Sequence, residues 1–198
     1  MPAISVLVDG ALMARVCTDG LDILSVHVSG TKIDETFATV DFSGGKYPSD
    51  GQSTYLVWLS ELALQPGQRV RIEISEQGET THPGKTIAEL FPDGSVEEQH
   101  GPMPSREQLI DEVRLRPHQR EHFTLALQSS SGHSTVAEVG ADEHGFGASV
   151  FWSGIREERI RASLDTYSLE QLASGDKLTY HFQERLSPAA WVEIKIDA

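Results

Sequence analysis

The feature that most constrains the fold of this chain is a stretch of sequence that occurs twice. Residues 25–41 and 149–165 align without a gap, and both copies begin with the pattern Ser-Val-x-x-Ser-Gly. Apolar residues alternate with other residues on either side of this pattern, which is the period of a β-strand with one buried face. Serine and glycine between two such segments are typical of a turn. We therefore predict the same core hairpin in both halves of the chain.

Two further blocks repeat in the same order. The alternating segment at residues 4–8 matches the one at residues 123–127. Residues 59–76 match residues 169–184 when two residues are deleted. Three blocks in one order indicate an internal duplication. We therefore predict a mainly β fold, or an α+β fold with its helix segregated, made of two similar antiparallel β domains.

The repeated blocks set the domain boundaries. We assign residues 1–76 to the first β domain and residues 121–198 to the second. Residues 77–120 form a linker between them. A β unit of this size encloses a limited core, so we expect the two halves to pack on one another.

One helix is expected in the linker, at about residues 106–116. Ser105 and Gln108 have the spacing of a capping box, in which each side chain binds a free backbone N–H group of the other residue. Pro117 ends the helix, because the residue before a proline avoids the α conformation. Residues 86–91 are expected to form a single helical turn. Leucine spacing also predicts that the strand at residues 55–64 turns into a short helical segment.

The charge of the chain limits its partners. It has 198 residues, of which 30 are acidic and 16 basic, and its formal net charge is −14. Such a charge argues against nucleic acid or an anionic membrane as a partner, because like charges repel. It fits a basic protein partner.

Cysteine usage and hydropathy predict a soluble, cytoplasmic protein. Cys17 is the single cysteine, so an internal disulfide cannot form. The first residues lack the basic segment and the long apolar run of a signal peptide. No stretch approaches the roughly 18 apolar residues of a membrane span.

No catalytic constellation is apparent, so we assign no catalytic or cofactor-binding residues. The segment that begins at His82 resembles a phosphate-binding loop, but the position that must be glycine is Glu79. No Gly-x-Ser-x-Gly nucleophile elbow is present. Asp41 and Asp165 recur at equivalent positions, where we expect them to cap turns.

Candidate metal ligands are few. Four residues in a long, glycine-flanked segment combine two imidazoles with carboxylates: His133, Asp142, Glu143 and His144. Mixed ligands of this kind suit zinc or another transition metal. Their spacing matches no specific metal motif, so we predict no metal site and retain these four as the only candidates.

Two functions fit these observations. The first is a non-enzymatic protein-interaction module that binds a partner through residues 43–54, residues 128–147 or an exposed sheet edge. The alternative is a small-molecule- or metal-binding protein, and even an enzyme, that uses the cleft between the halves or the loop at residues 133–144. The oligomeric state is left open by the sequence.

Overall fold

The computed structural model describes residues 1–48, 51–92, 105–155 and 159–198. Its fold is mainly β, as predicted. Within these residues the chain forms twelve strands, arranged in two six-stranded antiparallel sheets, and three short helices. The two sheets pack face to face as a sandwich around one core.

The first sheet contains both the first and the last strand of the chain. Its strands, in order across the sheet, are β2 (Ala11–Cys17), β1 (Ala3–Val8), β6 (Arg69–Ser75), β12 (Trp191–Asp197), β7 (Phe123–Ser129) and β8 (Ser134–Val139). Asp9 and Gly10 join β1 to β2, and both have positive φ angles. This is the tight hairpin turn that an Asp-Gly pair favours.

The second sheet contains the two hairpins formed by the similar segments at residues 25–41 and 149–165. Its strands, in order, are β11 (Thr179–Leu186), β10 (Arg159–Tyr167), β9 (Gly145–Ser153), β3 (Ile23–Thr31), β4 (Ala38–Lys46) and β5 (Thr54–Leu64). The two copies of the repeat therefore lie side by side, because β3 pairs with β9.

The strand order has twofold symmetry. When each strand is replaced by the strand six places away along the chain, the strand order of each sheet is simply reversed. Val26 lies directly opposite Val150, its equivalent in the repeat, so the axis of symmetry passes through this pair. This order is consistent with an internal duplication in which each half contributes three strands to each sheet. The division into domains at residues 1–76 and 121–198 remains a prediction.

A single hydrophobic core crosses from one half to the other. Phe123 of β7 packs on Phe146 of β9 with a ring separation of 5.0 Å, and on Phe37 from the other half at 5.3 Å. Trp58 and Trp152 are buried, as expected from their positions among apolar residues. The halves are thus joined by core packing as well as by strand pairing.

The predicted helical segment at residues 55–64 is wrong. The whole of β5 is extended, with a bulge at Glu61, where φ is 48°. A bulge inserts an extra residue and shifts the face on which the following side chains lie. Leu59 and Leu62 therefore both pack against the core. Their spacing of three residues resembles that of a helix although both lie in a strand.

The predicted equivalence of residues 59–76 and residues 169–184 is also wrong. Residues 59–63 lie in β5, whereas their matched residues belong to helix α3 (Leu169–Ser174). By strand order, β11 is the equivalent of β5, and β12 is the equivalent of β6. Short alternating segments resemble one another in any half-buried strand, so similarity alone selected the wrong partner.

The helices all begin with a capping box. They are α1 (Ile87–Leu90), α2 (Arg106–Arg114) and α3, and their capping pairs are Thr86 with Glu89, Ser105 with Gln108 and Ser168 with Gln171. Helix α2 confirms the predicted linker helix, and it contacts α3 through an ion pair between Arg114 and Glu170 at 3.3 Å. Among the described residues, no helix has the length and apolar character needed to cross a membrane.

Residues 80–85, here termed the strap, bind one edge strand of each sheet. Thr81 donates its N–H to the carbonyl of Arg15 in β2 at 2.9 Å. Lys85 exchanges two backbone hydrogen bonds with Val57 of β5, at 2.8 and 2.9 Å. The strap therefore closes one side of the sandwich. At the opposite side, no described segment joins the equivalent edge strands β8 and β11 in this way.

Candidate functional site

The outer face of the second sheet carries a patch of nine residues on three neighbouring strands of the second half. The strand register arranges them in three rows, and we term them the outer patch. They are Phe151, Arg161 and Arg185 in the first row, Ser149, Ser163 and Gln183 in the second, and Gly147, Asp165 and Tyr180 in the third.

Short side chains in the middle of the outer patch make it concave. Ser149 and Ser163 lie opposite each other, with their hydroxyl oxygens 3.0 Å apart. Longer side chains surround them and border a half-open cavity of about 470 Å³. Ligand sites commonly measure about 300–1,000 Å³. The cavity is therefore large enough for a small organic molecule.

Two arginines face each other at one end of this cavity. Arg161 lies directly opposite Arg185 in the β10–β11 register, and both are exposed. Neither guanidinium has an ion-pair or hydrogen-bond partner in the described part of the chain. The nearby carboxylate of Glu184 turns towards the other sheet, where it accepts a hydrogen bond from the Ser129 hydroxyl at 2.8 Å. The arginine pair is thus left without a neutralising group.

Gly147 allows an imidazole and a carboxylate to approach each other beside the cavity. A Cβ atom at this position would lie 3.1 Å from His27 Nε2 and 3.3 Å from Asp165 Oδ2. Burial raises the pKa of Asp165 to about 6. Burial also lowers the pKa of His27, against the attraction of Asp41. These shifts move the pKa values of the two neighbouring groups towards each other, as often happens at functional sites.

The same sheet places serine, histidine and aspartate in one row. Ser149, His27 and Asp41 lie opposite one another on β9, β3 and β4. However, the Ser149 hydroxyl pairs with that of Ser163, and Asp41 Oδ1 accepts the N–H of Glu61 at 2.9 Å. A catalytic triad needs hydrogen bonds from the histidine to both partners. None joins His27 to either residue within the described part of the chain.

Asp41 and Asp165 do not cap turns, contrary to the sequence prediction. Asp41 lies within β4 and Asp165 within β10. Asp41 instead binds the backbone at the bulge of β5. Equivalent positions in the two halves thus have different surroundings, since Asp41 supports a bulge and Asp165 lies near His27 over Gly147.

Three of the four candidate metal ligands lie in the turn between β8 and β9. Glu143 accepts hydrogen bonds from the Gly140 N–H, at 3.1 Å, and from the Thr166 hydroxyl. The His144 ring is buried, with its centre 6.3 Å from that of His118. Burial, together with repulsion from His118, lowers the pKa of His144. Asp142 is exposed beside a second cavity of about 480 Å³. Of these three residues, Glu143 thus has its carboxylate occupied by the two hydrogen bonds that hold the turn.

His133 is not near the other three. It lies in the β7–β8 turn, at the opposite end of β8, with Nδ1 3.6 Å from a Glu184 carboxylate oxygen. No group of three or more histidine, cysteine, aspartate or glutamate side chains arranged to hold a metal ion occurs among the described residues. The sequence grouped His133 with residues 142–144 because it could not show that a strand separates them.

Lys32 has a structural role near this turn. Its side chain is 1% exposed, and its ammonium group donates a hydrogen bond to the Gly140 carbonyl. Burial lowers the pKa of Lys32, while Glu143 and Asp142 oppose this shift. Lys32 therefore ties the β3–β4 turn of the first half to the β8–β9 turn of the second.

The two predicted binding loops are shorter than the sequence suggested. Residues 43–46 belong to β4, Thr54 begins β5, and residues 49–50 lie outside the described residues. The predicted loop at residues 128–147 contains β8, which is the counterpart of β2. Only its two turns are irregular.

Sequence reasoning missed the outer patch. The alternation of β10 could have placed Arg161, Ser163 and Asp165 on one face. It could not have placed Arg185 opposite Arg161, because the sequence does not determine the register between strands. Comparison with known proteins adds no family assignment, since no protein-family model, curated protein or solved structure matches this chain.

Proposed function

We propose that this chain is a protein-interaction module that binds an extended segment of a basic partner at the open side of its sandwich. The observation that carries the proposal is the difference between the two sides. The strap covers β2 and β5, whereas the equivalent edges β8 and β11 have no such cover among the described residues. The strap also illustrates the kind of ligand that fits, namely an extended backbone with hydrogen bonds to an edge strand.

The composition of β8 supports binding through this edge. Natural edge strands are usually protected by lysine, proline, a bulge or a covering segment. Strand β8 has the sequence Ser-Thr-Val-Ala-Glu-Val, and the side chain of Val136 is 68% exposed. A partner strand could extend the first sheet here by β-augmentation. The net charge of −14 favours a basic partner.

The β7–β8 hairpin determines which amide groups of β8 point outwards. Ser129 donates its N–H to the His133 carbonyl at 2.9 Å, so these two residues form a hydrogen-bonded pair. Such pairs alternate with non-hydrogen-bonded pairs along an antiparallel ladder. The N–H groups of Ser134, Val136 and Glu138 therefore point away from β7.

A proline at position 136 tests the proposal. Val136→Pro removes one outward N–H and leaves the hydrogen bonds to β7 in place. Val136→Thr is the matched control, because it keeps the N–H and a β-branched side chain. We expect a partner captured by the native chain to bind Val136→Thr normally and to lose at least about tenfold in affinity for Val136→Pro.

Hydrogen exchange locates the contact independently. The partner should slow exchange at the Val136 and Glu138 amides and leave the strap amides unchanged. Equal binding by both variants, or protection confined to another surface, would contradict the proposal. Self-association of the chain through this edge, seen as a dimer by sedimentation, would also contradict it.

The second candidate is a small-molecule-binding protein. It is favoured by the cavity of about 470 Å³ on the outer face of the second sheet. The outer patch adjoins the junction of the two halves, where β3 meets β9. Here the chemistry of the lining residues, rather than an open edge, would select the ligand.

A further inference from the structure

We infer that the outer patch binds a small organic anion that carries an aromatic ring. The anionic group lies between Arg161 and Arg185, and the ring lies against Phe151, which is opposite Arg161 in the β9–β10 register. This site is separate from the open edge of β8, so the inference does not depend on the proposed partner strand.

The charge arrangement identifies the anionic end. Like charges directly opposite each other on neighbouring strands destabilise a sheet. Arg161 and Arg185 nevertheless face each other, in a chain with 30 acidic residues and 16 basic ones, and neither has a partner in the described residues. An anion between them removes the repulsion and accepts charge-assisted hydrogen bonds from both guanidinium groups. Arginine suits this role because its planar group binds carboxylates and phosphates through two parallel bonds.

An exposed aromatic residue beside the arginine pair identifies the ring of the ligand. Phe151 is 40% exposed and lines the cavity in the same row as the two arginines. Aromatic side chains of this kind offer a large apolar contact area to a ring. Ser149, Ser163 and Gln183, in the next row, provide hydroxyl and amide groups beside the bound molecule. Polar groups that fix orientation beside an aromatic contact are found in many small-molecule sites.

The first half of the chain shows that the fold does not require these residues. In the repeat, Phe37 is the equivalent of Arg161, and His27 is the equivalent of Phe151. Phe37 is buried against Phe123. The strand order is the same in both halves, but the arginine pair occurs only in the second half. Its presence is therefore explained by binding better than by folding.

Titration with phenyl phosphate, followed by ¹H–¹⁵N spectra of the full chain, tests the inference. We expect shifts at β9, β10 and β11 amides and at the Nε–H groups of both arginines. Inorganic phosphate, which has no ring, and benzyl alcohol, which has no charge, should each bind at least about tenfold more weakly. Benzoate distinguishes a carboxylate site from a phosphate site, and either preference is compatible with the arginine pair.

Substitutions assign the binding to the named residues. Arg161→Gln and Arg185→Gln should each weaken phenyl phosphate binding by about tenfold or more. Arg116→Gln, at an exposed position two residues after the end of α2, is the charge-matched control and should bind normally. Phe151→Ala should remove the preference for phenyl phosphate over inorganic phosphate.

Thermal unfolding without ligand separates binding from folding. Because removal of one arginine relieves repulsion, the glutamine variants should be at least as stable as the native chain. Failure of phenyl phosphate to bind, equal binding of benzyl alcohol, or unchanged binding by both arginine variants would overturn the inference.

Discussion

Glycine at position 147 is the residue that most affects the chemistry of the second sheet. Any side chain there would meet both His27 and Asp165, whose polar atoms lie 3.1 and 3.3 Å from the Cβ position. Without that side chain, the histidine and the aspartate share the surface over β9. Partial burial of Asp165 disfavours its charged form and raises its pKa to about 6.

The Asp165 pKa leads to a prediction about stability and pH. The folded-state pKa of Asp165, about 6, is higher than the ordinary aspartate value. The stabilising contribution of this group is therefore fully present below the ordinary pKa. It is lost as the pH rises through 6. Relative to Asp165→Asn, the native chain should lose about 1–3 kcal/mol of unfolding free energy between pH 4 and pH 6. Urea unfolding of both proteins across this range measures the difference. Parallel pH profiles, or an NMR titration midpoint of Asp165 near 4, would contradict it.

The strap is the element that distinguishes the two sides of the sandwich. It binds β2 through Thr81 and β5 through Lys85, and Gly84 packs closely on the side chain of Trp58. A segment that covers two edges prevents them from pairing with other chains. The side formed by β8 and β11 lacks this protection among the described residues, which is why we place the partner there.

Gly84→Ala tests the packing of the strap. The new Cβ would lie 2.9 Å from Leu56 Cβ and 2.9 Å from Trp58 Cε2, too close for carbon atoms, so the strap must shift. We expect a loss of about 1–3 kcal/mol in unfolding free energy and faster exchange of the Lys85 amide. Gly140→Ala is the control, because no atom lies within 4 Å of its Cβ position. Equal stability of the two variants would show that the strap is loosely packed.

At the scale of the whole molecule, the two halves share their sheets and their core. β6 pairs with β12, β3 pairs with β9, and the buried side chains form one cluster. Unfolding of one half would expose the central strands and core residues of the other. We therefore expect the chain to unfold in one cooperative transition.

Tryptophan fluorescence can measure whether the two halves unfold together. Trp58 lies in the first half, and Trp152 and Trp191 lie in the second. Two variants that retain only Trp58 or only Trp152, with phenylalanine at the other positions, report on one half each. In each variant the urea midpoints from fluorescence and from far-ultraviolet circular dichroism should coincide. Separate midpoints, or two transitions in the circular dichroism curve, would show that the halves unfold independently.

The local features of this protein could be predicted from short residue patterns. The alternation of apolar residues identified the strands around Val26 and Val150 and their buried faces, since a strand has a period of two whatever its partner. The Asp-Gly step at Gly10 and the capping box at Ser105 were also readable, because a turn or a helix start depends on a few adjacent residues.

Strand pairing and register could not be predicted in this way. The same alternation fits several partners, which is why residues 178–182 were matched to β6 rather than to their counterpart in β5. Register placed Arg185 opposite Arg161, and it separated His133 from residues 142–144. Both proposed binding surfaces depend on this pairing. It is set by packing between distant segments, which a local pattern of residues does not specify.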